Sequence, residues 1–288
     1  MYCNIAEHIL EVSGEGSGAI PGFSPFLFES GSVNKTLISI RLNEKISCPD
    51  TSLLYRFTIE EGTCEFMKED ECYIIRWFQT GGMLWHMKIQ TGENKVVTLS
   101  DMNKETDIHI LRFSIWIAFG IAALYRQTVS VHASTLMYRD RSILFLGESG
   151  TGKSTQSYLW QEYIGDTELL NDDSPFIRIN EHGMPIVWGS PWSGKTPCYK
   201  NKHTPVIALV RLRQAPFNSI RRLRTIKAIG ALQPSLPPIF ASDPVLAELM
   251  SECLSSIIGQ IPVYILDCLP DREAVELLYN TLREEGKL

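Results

Sequence analysis

What the sequence lacks narrows it first. It contains no Cys-x-x-Cys pair, and its seven cysteines (Cys3, Cys48, Cys64, Cys72, Cys198, Cys253 and Cys268) are odd in number and scattered. That spacing suits neither a zinc site nor a disulfide framework and reads as reduced thiols. A basic block is missing too. The net charge of −6 is mild and the acidic residues are dispersed, so no nucleic-acid arm and no acidic tail are indicated. Arg221, Arg222 and Arg224 sit in an alternating stretch and read as a solvated strand face. No apolar run reaches the roughly 20 residues that a membrane-spanning helix needs. The strongest, Phe113–Tyr125, is about 13 residues long and is closed by Arg112 and Arg126. It is expected to be a buried helix. The first residues show no charged-then-apolar leader, so the expected location is cytoplasmic, with no membrane partner. No repeat period or low-complexity tract is visible.

What is present is an ordinary globular composition. With 288 residues, 44% of them apolar, the chain can build one large or two modest domains. Residues 1–104 read as a smaller β-rich N-terminal domain. Thr36–Arg41, Leu53–Ile59, Cys72–Phe78, Met83–Ile89 and Val96–Leu99 are β-branched or aromatic, and several alternate in polarity. Gly81-Gly82 signals a two-residue hairpin turn, and the Gly-, Ser- and Pro-rich first thirty residues are expected to be partly irregular. Nothing in this half carries recognisable chemistry.

The character changes near Asp101, and residues 105–288 read as an α/β domain. Thr106 or Asp107 is placed to cap the apolar helix. Strands are expected at Thr128–Thr135, Ser142–Leu146, Glu168–Asn171, Val206–Arg211 and Val263–Asp267. Helices are expected from Lys153, at Pro244–Ile258 and at Arg272–Glu284.

The chemistry-bearing signal is Gly147-Glu148-Ser149-Gly150-Thr151-Gly152-Lys153-Ser154-Thr155, which fits G-x-x-x-x-G-K-[ST]. Glycines let the backbone wrap tightly, so that its N–H groups point inward at a polyphosphate. The dipole of the following helix adds to the attraction. Lys153 is expected to reach the β- and γ-phosphates of ATP, and the Ser154 hydroxyl to bind Mg²⁺. The apolar run Arg141–Leu146 before the loop and the Gly- and Pro-free Ser154–Tyr163 after it supply the strand and helix that the motif requires. Gly189–Thr196 satisfies the same pattern, but Pro197 follows at once and Pro191 removes a backbone donor. It is not a second nucleotide site. Whether it is a surface turn or closes over phosphates or acceptor stays open.

Asp172-Asp173 lies 19 positions beyond Lys153, after the apolar Leu169-Leu170. Two carboxylates at a strand's carboxyl end suit phosphoryl transfer, one holding Mg²⁺ and one accepting the proton of an attacking hydroxyl. The plainer alternative is an Asp-Asp turn before Pro175. His132, in Val129–Thr135, is either a satisfied core histidine or an imidazole near the γ-phosphate. No Leu-Ser-Gly-Gly signature is present, which disfavours transport-type ATPases.

Taken in order, Val131-His132-Ala133, the loop 144–155 and Asn171-Asp172-Asp173 resemble the catalytic domain of HPr kinase/phosphorylase. The loop and the Asp-Asp pair are also similar to those of ATP-dependent phosphoenolpyruvate carboxykinase. The resemblance implies a P-loop kinase fold, with Asp173 as proton acceptor, His132 and Lys153 as active-site partners, Ser154 as a Mg²⁺ ligand and Asp172 facing the metal. It implies ATP and Mg²⁺ as cofactors and a hydroxyl-bearing acceptor, the Ser of a small protein or peptide. A small-metabolite kinase and a non-catalytic nucleotide-dependent binding module are the alternatives. Thr155 stands where these kinases have Glu, and their Glu-x-Arg-Gly motif has no counterpart; Gly189–Trp192 occupies the comparable region. Both departures argue against HPr itself as acceptor and against phosphorylase activity. A homo-oligomer is compatible with the sequence and not determined by it.

Overall fold

The computed structural model describes residues 1–18, 20–29, 36–47, 51–79, 81–92, 95–194 and 196–288. It is a mixed α/β structure with two sheets and, among the described residues, six α-helices. The chain divides into two compact units, one of Met1–Arg126 with Ile239–Glu248, the other of Gln127–Pro238 with Leu249–Leu288.

The first unit holds β1 (Tyr2–Ile5), β2 (His8–Ser13), β3 (Ile38–Arg41), β4 (Ser52–Ile59), β5 (Gly62–Glu69), β6 (Cys72–Gln79), β7 (Leu84–Gln90), β8 (Val96–Ser100) and α1 (Ile108–Leu124). Its sheet runs β1-β2-β3-β8-β7-β6-β5-β4. The alternation that predicts strands is realised as burial of every second residue in β7 and β8. The opening segment is more regular than its composition suggests. Ala6 and Glu7 both adopt positive φ and turn β1 into β2, with Ile5 opposite His8; neither residue is a standard turn former, so the hairpin carries no local signal. Gly81 and Gly82 do take positive φ, and the Gln79 N–H donates to the Met83 carbonyl across that turn.

Composition changes at about residue 104, but compactness does not. The Asp107 carboxylate caps α1 by accepting from the N–H groups of His109 and Ile110. The helix then packs on the strands before it. Trp77 Nε1 donates to Ser114 Oγ at 2.9 Å, and the Phe113 ring lies 5.4 Å from Phe57 and 5.9 Å from Trp77. This packing carries the first unit on to Arg126. No helix among the described residues is long and apolar enough to cross a membrane.

The second unit supplies β9 (Thr128–Ser130), β10 (Ala133–Tyr138), β11 (Arg141–Leu146), α2 (Lys153–Tyr163), β12 (Thr167–Asp173), β13 (Phe176–Ile179), β14 (Pro185–Trp188), β15 (His203–Gln214), β16 (Ser219–Arg222) and α3 (Thr225–Leu232). After α4 (Pro238–Ala241) come α5 (Pro244–Ile258), β17 (Val263–Cys268) and α6 (Arg272–Glu284). The sheet order is β12-β10-β11-β15-β14-β13-β9, with β17 also beside β15 and β16 beside β17. β15 is long enough to serve two partners in turn. Its start pairs antiparallel with β14, and the remainder lies parallel between β11 and β17. Phe145, Trp160, Val210, Tyr264, Leu278 and Leu282 are buried together where α2 and α6 cover this sheet.

One strand expected from the sequence is broken. Thr128–Thr135 is not continuous: β9 pairs with β13, β10 pairs with β11 and β12, and Val131 and His132 form the gap. His132 therefore lies off the strands, where its backbone N–H donates to the Ser235 carbonyl at 2.7 Å.

Asp243 anchors the returning segment of the first unit. Its buried carboxylate accepts from Lys68 Nζ at 2.7 Å and Tyr73 Oη at 2.9 Å, and from the N–H groups of Val245 and Leu246. Burial raises its titration point, but the bonds from Lys68, Leu246 and Tyr73 outweigh burial and leave it lowered. The stabilisation is therefore complete above the unfolded value of about 3.9 and is lost as pH falls below it toward the folded value. Asp243→Ala is expected to cost roughly 2–3 kcal/mol at neutral pH, towards the lower end for a buried pair because Lys68 keeps contact with water. Urea unfolding checks this, and the gap between wild type and variant should narrow as pH falls through the acid range.

Candidate functional site

Sheet register builds the site. β10 runs antiparallel between β11 and β12, and Ala133 sits opposite both Leu146 and Asp173. One row of the sheet thus ends β11, starts β10 and ends β12, and continues to Arg211 of β15 opposite Leu146. Residues at and just outside that row come to one edge: His132 before β10, Gly147 after β11, and Asp173 closing β12.

The loop from Gly147 to Gly152 joins β11 to α2. Gly147, Gly150 and Gly152 have φ of +155°, +82° and +99°. A Cβ on Gly147 would meet Thr151 Oγ1 at 2.3 Å, so the turn excludes any side chain there. Thr151 Oγ1 donates to the Glu148 carbonyl at 2.9 Å and ties the loop across its base. Gly152 caps α2 without a side-chain bond, a helix start whose first N–H groups suit an anion. Ser149 and Thr155 complete the stretch, on the loop and in the first turn of α2.

Lys153 turns back over this loop. Its Nζ donates to the carbonyls of Gly147 at 2.9 Å and Glu148 at 3.1 Å and meets His132 Nε2 at 2.9 Å. An ammonium has only donors, so Nε2 is the acceptor and the imidazole proton lies on Nδ1. That nitrogen faces Asp173 Oδ1 at 3.4 Å. Lys153, His132 and Asp173 thus form one polar chain. Burial lowers the Lys153 ammonium; Asp173 and Asp172 oppose the shift and Arg211 adds to it, leaving a net fall. Burial raises the Asp173 carboxyl, but bonds from His132 and Ser174, together with the field of Lys153, outweigh it and hold Asp173 below its ordinary range.

Asp172 points the other way, as neighbours on a strand do. Both of its carboxylate oxygens lie 3.0 Å from Ser154 Oγ, which donates to them. This pair fits Mg²⁺ in one sense only. Among the described residues no group of three or more His, Cys, Asp or Glu side chains forms a cage, but Mg²⁺ is commonly held by one or two oxygen side chains plus the phosphates it accompanies. Ser154 and Asp172 can supply that share.

The Gly189–Thr196 segment, left open by the sequence, lies against the carboxylate pair. The Gly194 N–H donates to the Asp172 carbonyl at 2.7 Å, and Ser193 bridges to Asp173. Lys195 lies outside the described residues. The amide of Asn171 holds the segment in place: Nδ2 faces the carbonyls of Trp192 at 3.0 Å and of Ser190 and Cys198 at 3.4 Å. Asn171 was read only as part of a motif; its anchoring role depends on residues about twenty positions away. Arg211 was missed altogether. Its guanidinium reaches the Ala231 carbonyl, Ser235 Oγ and Glu148. An Arg at the carboxyl end of a buried strand was the available signal.

With this geometry in hand, comparison with known proteins adds little. No family model and no curated protein matches the chain. Among solved structures, the HPr(Ser) kinase/phosphatase from Coxiella burnetii is similar over 55% of this chain and 95% of that one, at 15% identity and a TM-score of 0.32. So slight a likeness carries no argument about fold or activity, and the reading rests on the residues themselves.

Asp173 carries a backbone signature of its own. Its φ of +151° is one that side-chain-bearing residues rarely adopt, held by the Gly194 bond to Asp172 and by the Ser174 N–H bond to Asn171 Oδ1 at 2.9 Å. Such strain costs about 1–3 kcal/mol and persists only where the surrounding structure fixes it. Asp173→Gly is accordingly expected to be more stable than Asp173→Ala by about 1–2 kcal/mol. Chemical denaturation of the two variants checks this; an Ala variant as stable as the Gly variant would remove the strain.

Proposed function

We propose that this chain is an ATP-dependent kinase that transfers the γ-phosphoryl group to a hydroxyl, the Ser of a small protein or peptide being the acceptor. The observation that carries the reading is the connected line of Lys153, His132 and Asp173 beside the glycine loop. Loop amides from Gly147 to Thr155 and the start of α2 take the phosphates. Lys153 exchanges a loop carbonyl for a phosphate oxygen and stays within reach of His132. Ser154 and Asp172 hold Mg²⁺, whose chemistry is to neutralise charge on the phosphates.

Asp173 acts on the acceptor. A carboxylate is ionised at neutral pH, and Asp173 accepts the hydroxyl proton as the oxygen attacks the γ-phosphorus. The P–O bond to the acceptor forms while the bond to the β-phosphate bridging oxygen breaks, and ADP leaves with that electron pair. His132 orients Asp173 through its Nδ1 proton. Ser190, Trp192 and Ser193, held through Asn171 and the bridge to Asp173, form the wall beside Asp173 against which an acceptor lies. The free thiols among the described cysteines and the use of ATP suit a cytoplasmic enzyme. The β-rich part, residues 1–104, presents or recognises the acceptor in this scheme.

Asp173→Asn is expected to lower phosphoryl transfer by about 10²–10⁴-fold while leaving nucleotide affinity within about threefold, since Asp173 meets the acceptor and not the loop. Incubation with γ-labelled ATP and separated macromolecular and small-molecule fractions tests the acceptor class. Label in a macromolecule, lost with Asp173→Asn, supports the proposal. Label in a small product replaces the protein acceptor with a metabolite. Nucleotide binding without any label transferred refutes the kinase reading.

A further inference from the structure

We propose that the basic groove between β15, β16 and α3 docks an acidic segment of the acceptor peptide, set a few residues away from the Ser that receives the phosphoryl group. The proposal rests on the peptide-kinase reading above and deepens it to the acceptor's sequence. Alternation along β15 builds the groove. Val210 and Leu212 turn into the core under α2 and α6, so Arg211 and Arg213 turn to the opposite face. Ile265 of β17 stands level with Arg211 on one side and with Arg221 of β16 on the other, which brings both arginines onto that face. α3 lies along it, its Ala231 carbonyl accepting from Arg211 at 3.3 Å, and adds Lys227.

The groove is a run of cations in an acidic protein. One cavity of about 280 Å³ is lined by Arg211, Arg213, Arg221 and Lys227. An adjoining cavity of about 700 Å³ shares Arg221 and Lys227 and adds Arg224. Among the described residues no carboxylate lines either cavity, although the chain as a whole has a net charge of −6. Acidic partners are few. Asp267 holds Arg213 at 2.6 Å, Glu148 comes within 4.0 Å of Arg211, and Glu285 takes Arg222 on the rim at 3.1 Å. Arg221, Arg224 and Lys227 meet no carboxylate at ion-pair distance among the described residues. Guanidinium groups cannot shed their protons. A cleft lined by one sign of charge concentrates its field on an incoming counter-charge.

A peptide suits this groove better than a free phosphate or a nucleic acid. Arg211 and Arg221 stand two strand spacings apart, roughly 10 Å at the backbone, so the cations are spread along a line. Ile226, 85% exposed, stands on the groove wall and offers an apolar contact. No aromatic ring lines either cavity, so bases find nothing to stack on. The groove also opens beside the reacting groups. Arg211 donates to Ser235 Oγ at 3.4 Å, and the Ser235 carbonyl accepts from the His132 N–H at 2.7 Å. Strand order sets the spacing: β12, which ends in Asp173, lies three strands from β15, roughly 14 Å or about four residues of extended chain.

The test uses synthetic peptides with a single Ser and a run of Glu beginning about four residues from it, before it in one and after it in the other. Matched peptides carry Gln in place of Glu. Binding is measured to the full chain and to the double variant Arg221→Glu with Lys227→Glu, both exposed positions. Wild type is expected to bind one of the Glu peptides about tenfold or more tightly than its Gln match, with an advantage that shrinks as salt rises. The double variant should lose that advantage and keep its affinity for ATP. Equal binding of Glu and Gln peptides, or a full preference retained by the variant, overturns the groove. So does tighter binding of inorganic phosphate, or of an oligothymidylate of equal charge, that the variant loses. Phosphoryl transfer from γ-labelled ATP separates the two readings. Transfer to Glu and Gln peptides alike removes the groove and leaves the kinase; charge-selective binding with no transfer keeps the groove and removes the kinase. Should the double variant fail to fold, the Glu-to-Gln ratio of the wild type and its salt dependence decide.

Discussion

Everything at the candidate site depends on one strand placed between two others. Because β10 runs antiparallel between β11 and β12, its first residue stands level with the last residues of both neighbours. Sheet geometry then places three chain segments, distant in sequence, within a few strand spacings of about 4.8 Å each. A shift of one residue in that register would turn Asp172 and Asp173 to opposite faces, breaking both the Ser154 pair and the His132 contact.

The polar groups at this edge are held by one another more than by the core. Lys153 meets two loop carbonyls and His132, His132 meets Asp173, and Ser174 Oγ donates to Asp173 at 2.7 Å. Asn171, fully buried, organises the neighbouring segment by facing three carbonyls. A network of this kind positions side chains to within a fraction of an ångström and is costly to leave half-satisfied. That combination suits a site whose chemistry depends on placement more than on an unusual residue.

Legibility varied with how local the cause was. Helices at Pro244–Ile258 and Arg272–Glu284 occupy the spans expected for them, because periodicity and breakers act within a few residues. β1 and β2 were not legible, since Ala6 and Glu7 make their turn without turn chemistry. β5 was missed because Glu65 and Lys68 interrupt its pattern; Glu65 is buried against Arg56 and Arg76 from the strands on either side. Arg211 and Asn171 were invisible as site residues for the same reason: their partners come from elsewhere in the chain.

By itself the sequence determined the glycine loop, because positive φ at Gly147, Gly150 and Gly152 is a property of those residues and their immediate neighbours. It also determined that Lys153 and Ser154 begin the helix leaving that loop, and that two carboxylates follow one short strand later. Only the tertiary structure decided that His132 lies in a gap between strands instead of within one, that Asp172 turns to Ser154 while Asp173 turns to His132, and that Gly189–Thr196 rests against both. Those outcomes are set by hydrogen-bond register between strands and by buried amides seeking carbonyls across tens of residues, terms that no local stretch of sequence contains.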